Sequence, residues 1–311
     1  MLVRQILVTA AVMLMSAGGS LCQASSKPDE SPRAVEVQMR NVMYHFTEKI
    51  GVSIRTLRGQ VVSTTGDIPV FDDKNSFTLN IASAEISISP ESLANVLNSY
   101  VFAKSDAPIK DLSIQIAEGG RLLAKGKLHR KGDIAFEMMG TLTTTPEGKL
   151  RLHTEKVKAL HLPVKGLMDL IGIDVADLIK GGSLHGVEIE KDDLILDTKA
   201  LLPPPQIIGK VTAVRVEQGG IVQVFGEPNA LPAIKVDAAN YMLYRGNQLR
   251  FGKLTMKDTD MVIIDMDPKD PFDFFLDHYQ QQLVPGYTKE TPNYGLRVFM
   301  RDYNKLRPKA K

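Results

Sequence analysis

Cysteine is all but absent from this chain: Cys22 is the only one. If the chain is cleaved after Ala24, as the N-terminal pattern described below suggests, the mature protein has no thiol. Disulfides, thiolate catalysis and cysteine-ligated zinc are then excluded together. Tryptophan is missing and aromatic residues make up 6% of the chain, so the apolar mass is Leu, Ile, Val and Met. Such an aliphatic interior is adaptable, and it suits a greasy cavity as readily as a plain core. Neither sign of charge dominates, with 38 basic against 36 acidic residues. There is no basic block before the tail Lys305, Arg307, Lys309 and Lys311. Nucleic-acid binding asks for a concentrated basic surface, so no nucleic-acid partner is expected. The tail reads as a solvated terminus, with contact to an anionic membrane surface as the competing use.

Catalytic and metal signatures are missing in the same way. None of the six histidines sits in a His-Glu-x-x-His or His-x-His arrangement, which argues against a dedicated zinc site. No Gly-x-Ser-x-Gly elbow occurs, and no Gly-rich loop passes from a strand into a helix as nucleotide binding requires. The acidic run Asp260, Asp265, Asp267, Asp270, Asp273 and Asp277 is the best alternative site. Asp265-Met266-Asp267 begins like a calcium loop, but Lys269 takes a ligand position, Asp270 stands where the turn glycine belongs, and Leu276 replaces the bidentate Glu. Asp267 or Asp270 is better read as the cap of a following helix. No cofactor, metal or catalytic residue is assigned.

What is present starts at the N-terminus. Arg4 gives a positive start, residues 6–15 are apolar, residues 16–20 are small or flexible, and Cys22-Gln23-Ala24 fits a cleavage site. Those parts in that order make a secretory signal peptide. The apolar run is about ten residues, against roughly 20 for a spanning helix. An N-terminal anchor and a lipidated Cys22 are the competing readings, and Leu21 is not the small residue that lipidation expects before the cysteine. Residues 1–24 are therefore read as a signal peptide and residues 25–34 as a flexible leader. Export to the periplasm or cell envelope follows as the expectation.

From Val35 the chain reads as strands. In three places the alternating apolar phase slips: from Val35, Val37 and Met39 to Val42, Tyr44 and Phe46; from Phe77, Leu79 and Ile81 to Ile86 and Ile88; and from Leu150 and Leu152 to Val157 and Ala159. The side-chain period of a strand is two, so each slip predicts a bulge or bend. Runs through Leu112–Ile116, Leu122–His129 and Ile134–Leu142 are joined by short Gly-containing turns, which specify an antiparallel meander. Val211 to Val216 and Ile221 to Phe225 form a hairpin across Gln218-Gly219-Gly220. Tyr241 to Tyr244 and Leu249 to Phe251 suggest another, turning near Gly246-Asn247. Pro203-Pro204-Pro205 marks an edge or a crossover.

Two segments break the β pattern. Ser89 fits an N-cap and Pro90 the first helical position, and Leu93, Val96, Leu97, Tyr100 and Val101 then recur at helical spacing. A second amphipathic helix is predicted over residues 164–179, ended by Gly181-Gly182. A short helix is also expected over residues 271–283, with Phe272, Phe275, Leu276 and Tyr279 on one side.

The rhythm of strands running into a helix joins two local stretches, Ile86-Ser87-Ile88-Ser89-Pro90-Glu91-Ser92-Leu93 and Leu201-Leu202-Pro203-Pro204-Pro205-Gln206-Ile207-Ile208-Gly209-Lys210. Together they resemble the LmeA-like phospholipid-binding family, over roughly residues 35 to 226. That family is in turn similar to one half of the tubular lipid-binding fold, in which a long curved antiparallel sheet wraps helices around an apolar groove. The resemblance carries no catalytic side chains.

The expected fold class is α+β, mainly β: a long, strongly curved antiparallel sheet wrapping two amphipathic helices, with a C-terminal helical extension. Residues 35–267 would form the lipid-binding domain, and residues 268–311 a helix and basic tail. The groove wall is predicted to include Val96, Leu97, Phe136, Met138, Leu167, Met168, Ile171 and Val175. The expected function is non-enzymatic binding of a phospholipid or other long apolar ligand. The alternatives are an envelope scaffold or interaction protein, and a hydrolase using the carboxylates after Met261.

Overall fold

The computed structural model describes residues 34–104, 107–129, 133–159, 186–228 and 230–306. The signal segment, nearly all of the leader, the predicted helix over 164–179 and the last five residues lie outside the described residues. The fold is mainly β, as expected, and the helices among the described residues are short.

The chain begins with three long strands, β1 (Val35–Thr47), β2 (Ile50–Ser63) and β3 (Phe77–Ile88), paired antiparallel in sequence order. All three predicted phase slips coincide with irregular pairing. In β1 the slip falls at Asn41, whose φ of 53° lies in the left-handed region. In β3 it falls where the β2–β3 register shifts between Arg58 and Gly59. In β7 (Leu150–Ala159) it falls opposite the shift between Met139 and Gly140 of β6 (Asp133–Thr144).

Asn41 also marks a change of neighbour. Before it, β1 pairs antiparallel with β13 (Tyr241–Gly246), and after it β1 pairs parallel with β17 (Phe272–Phe275). The Asn41 Nδ2 donates to Asn240 Oδ1 at 2.6 Å across the junction. A short amide side chain tolerates the left-handed backbone and bonds locally, which is why Asn suits this point.

β10 (Gln206–Ile208), β11 (Val211–Glu217), β12 (Gly220–Gly226), β16 (Thr259–Asp265), β18 (Tyr287–Glu290) and β19 (Leu296–Met300) complete an eleven-stranded sheet. Its main path runs β11-β12-β3-β2-β1-β13-β16-β19-β18. The predicted β11–β12 hairpin forms. The sheet is mixed rather than antiparallel: β1 with β17, β3 with β10, and β16 with β19 are parallel pairs.

The C-terminal region departs from expectation. Residues 272–275 form a strand, and only α3 (Tyr279–Leu283) is α-helical, preceded by one tighter turn. Phe272, Asp273, Phe274 and Phe275 are all buried. A run that must bury both faces is satisfied by a strand covered on both sides, whereas a short surface helix would bury only one stripe. The extension is thus largely β, and β17, β18 and β19 belong to the large sheet. The hairpin expected between Tyr244 and Leu249 does not form either. β13 pairs with β16, while β14 (Leu249–Phe251) pairs with β15 (Leu254–Met256) in a separate two-stranded ribbon.

At the β2–β3 shift the two backbones crowd. A Cβ on Gly59 would lie 2.1 Å from the Asn80 carbonyl oxygen. Gly59→Ala should therefore lower stability by about 1–3 kcal/mol, as overpacking against a rigid neighbour does. Gly219→Ala, which meets nothing within 4 Å, should stay close to the parent. Urea unfolding of both variants checks the pair.

Candidate functional site

The second sheet supplies most of the candidate site. β4 (Ile109–Ala117), β5 (Arg121–His129), β6, β7, β9 (Asp193–Leu196) and β8 (Val187–Glu190) lie side by side in that order, all antiparallel. Its two faces differ sharply. One is laced with exposed ion pairs, such as Lys125–Glu137 at 2.7 Å, Lys127–Asp111 at 2.7 Å and Lys149–Glu188 at 2.6 Å. The other presents Leu112, Leu122, Ala124, Phe136, Met138 and Leu152, all buried. A face this apolar has to be covered.

The cover comes from two places. The first is α1 (Pro90–Val96), which packs on β2 and β4. It starts as expected: Ser89 Oγ accepts from the Ser92 N–H at 3.0 Å and Pro90 takes the first turn. A π-helical turn follows at Leu97–Val101, closed by the Phe102 N–H donating to the Leu97 carbonyl. The wider turn keeps Leu97 and Val101 buried and leaves Tyr100 at the surface, unlike the single stripe expected. The second cover is the near end of the large sheet, reached through α2 (Thr198–Leu201) and the Pro203-Pro204-Pro205 crossover into β10.

The π-helical turn and β4 are locked together by one side chain, Asn98. β4 bulges at Asp111, whose φ is 52°, and its register against β5 shifts between Lys110 and Ser113. Asn98 replaces the missing ladder bonds. Its Nδ2 donates to the Leu112 carbonyl at 2.7 Å, and its Oδ1 accepts from the Leu112 N–H at 3.0 Å.

Between sheet and cover lies a hollow of about 100 Å³. Engineered apolar cavities of about 150 Å³ stay dry and admit benzene-sized guests. Thr198 and Gln223 are the polar side chains in its wall, and no charged side chain lines it among the described residues. Val96, Leu97, Phe136 and Met138 all line the hollow, as the sequence predicts. Leu167, Met168, Ile171 and Val175 lie outside the described residues. Sequence reasoning missed the opposite wall, to which the large sheet contributes Val52, Ile86, Ile207, Ile221 and Phe225. The alternating run Ile221 to Phe225 was the available signal, but alternation does not say which sheet a strand joins. Within β5, Gly126 makes room for the wall, since a Cβ there would lie 2.9 Å from the Phe136 ring.

A smaller hollow of about 30 Å³ lies in the core of the large sheet, walled by Phe46, Phe71, Phe274, Tyr44 and Tyr244 among others. Val52, Ile86 and Ile207 line both hollows.

The acidic run is arranged differently from a capped helix. Asp260 pairs with Arg297 at 3.0 Å and Asp277 with Lys74 at 2.8 Å. Asp265 accepts from Asn240 at 2.8 Å, and Asp273 bonds His45 at 2.5 Å. Lys305 gathers Asp267, Asp270 and Asp302 at 2.9, 3.1 and 2.6 Å. Asp267 and Asp270 therefore serve the Lys305 ammonium, correcting the expectation that one of them caps a helix. Burial lifts the Asp302 carboxyl above its ordinary value in spite of that ammonium. Exposed Asp267, hydrogen-bonded to the same ammonium, is held below its own.

No family model, curated protein or solved structure matches this chain.

Two stability predictions follow from these contacts. Asn98→Leu strips the Leu112 peptide of both partners and should cost about 1–3 kcal/mol in urea unfolding. Asp302 has a raised folded pKa, so its favourable contribution is present below the ordinary carboxylate pKa of about 3.9 and is lost as pH rises through the folded value. Asp302→Asn keeps a group able to accept from the Asp273 N–H, now 2.9 Å from Asp302 Oδ1. Its stability relative to the parent should improve between pH 4 and pH 7, and a relative loss over that range would contradict the assignment.

Proposed function

We propose that this chain is a non-enzymatic binding protein that holds an apolar, chain-like molecule of the lipid class between its six-stranded sheet and the cover formed by α1 and the large sheet. The observation that carries the reading is the hollow itself: an aliphatic wall with, among the described residues, two polar side chains and no charge. Burying hydrocarbon in such a wall gains about 0.8 kcal/mol per methylene. A charged guest would have no counter-charge there and would pay its full desolvation cost. The likeness to the LmeA-like phospholipid-binding family supports the same ligand class. The pattern of residues 1–24 supports a place of action outside the cytoplasm, in the periplasm or cell envelope, where a lipid surface supplies the guest.

The acidic run gives the hydrolase alternative little to work with. Each of its six carboxylates is engaged by a cation, an amide or a histidine.

Native mass spectrometry after gentle purification should find lipid on the protein. Ala124 lines the hollow and is buried. Ala124→Phe should cut uptake of a neutral apolar dye at least tenfold with the circular dichroism unchanged, and equal uptake by parent and variant would end the reading.

A further inference from the structure

The smaller hollow contains two groups that the binding reading does not use. Tyr44 and Tyr244 are 8% and 5% exposed. Among the described residues, they are the only lining ones whose side chains carry oxygen or nitrogen. Neither hydroxyl has a hydrogen-bond partner among the described residues, and neither is shut off completely from other atoms; both residues line the hollow. A hydroxyl denied any partner costs about 1–3 kcal/mol. Two open hydroxyls in one aromatic wall mark a place where a polar atom of something else belongs.

The rings are fixed. Tyr44 packs edge-on to Phe46 at 5.1 Å and lies 5.7 Å from Phe274, while Tyr244 meets Phe71 edge-on at 5.5 Å. Neither phenol can swing to another partner without opening this cluster. Burial, helped for Tyr44 by the nearby Tyr244 and Asp277, raises both pKa values above the ordinary tyrosine value. Both therefore remain neutral donors and acceptors. Among the described residues, no cationic side chain lines the hollow.

We propose that this smaller hollow seats the uncharged oxygen-bearing end of the guest, an alcohol or carbonyl oxygen hydrogen-bonded by Tyr44 and Tyr244, while the hydrocarbon remainder lies in the larger hollow beyond Val52, Ile86 and Ile207. The proposal rests on the binding reading above and narrows it from apolar molecules in general to neutral, oxygen-terminated chains. A carboxylate end is disfavoured, because it would enter an apolar cavity without a counter-charge. A hydroxyl guest can accept from one phenol and donate to the other, and a carbonyl can accept from both.

The test uses the full chain with three probes, 1-decanol, n-decane and decanoate at pH 8, each displacing a neutral apolar dye. Tyr44→Phe and Tyr244→Phe keep the rings and remove only the hydroxyls. Each should weaken 1-decanol about three- to tenfold, the equivalent of one neutral hydrogen bond. Each should leave n-decane unchanged, and thermal stability should be equal or slightly higher. Decanoate should bind the parent at least tenfold more weakly than 1-decanol. If the alcohol and the alkane respond alike to both variants, the hydroxyls hold only water and the proposal falls while the binding reading stands. If the parent takes up none of the probes, the binding reading falls and this proposal falls with it.

Discussion

A sheet with one greasy face must cover that face, and here the available cover does not fill the space. The six-stranded sheet turns a continuous aliphatic surface inward, while its outer face is occupied by cross-strand ion pairs such as Lys125–Glu137 and Lys127–Asp111. That polarity fixes which way the sheet must face. Among the described residues, one short helix, a π-helical turn and the near end of the larger sheet stand against it. Side chains from three directions converge without interdigitating fully, and the hollow is the remainder. Its apolar lining is a consequence of the same burial that stabilises the fold.

The larger sheet depends on an exchange of partners in its middle. β1 is long enough to serve two neighbours, β13 along its first half and β17 along its second, and it changes between them at Asn41. The opposite pairing directions of the two neighbours allow the C-terminal region to enter the sheet as a buried strand. Phe272 and Phe274 thereby reach the core beside Tyr44 and Phe71. The aromatic ring around the smaller hollow joins residues as far apart in the chain as Tyr44 and Phe274, which this exchange brings together.

Polar side chains close the gaps that irregular pairing opens. The Asn98 amide replaces a missing ladder bond pair at the β4 bulge. Gln38 does the same on the back of the large sheet, where its amide donates to the Ile234 carbonyl and accepts from the Ile234 N–H, both at 2.9 Å. Backbone groups left unpaired in a buried setting are costly, and an amide side chain is the one group that offers a donor and an acceptor in peptide-like geometry. The carboxylates near Lys305 follow the same economy, gathering several acceptors on one cation. The phenols of Tyr44 and Tyr244 stand apart from this pattern, which is what singles them out.

The sequence by itself determined the local rules. Alternation fixed most strands, the three slips of phase fell at Asn41, at the β2–β3 shift and in β7, Ser89-Pro90 started α1, and Val96, Leu97, Phe136 and Met138 faced the hollow. Each of these is set by neighbours within a few residues, through strand period, helix spacing or cap chemistry. Tertiary structure alone decided the rest. It turned Phe272 to Phe275 from an expected helix into a buried strand, made the large sheet mixed, sent β13 to β16 instead of β14, and brought Ile207, Ile221 and Phe225 across to form the opposite wall. A short apolar run fits a helix stripe or a strand equally well, and only a partner with a free edge and an unfilled face selects between them. Those partners lie far away along the chain, so their choice is written in packing and not in any local window.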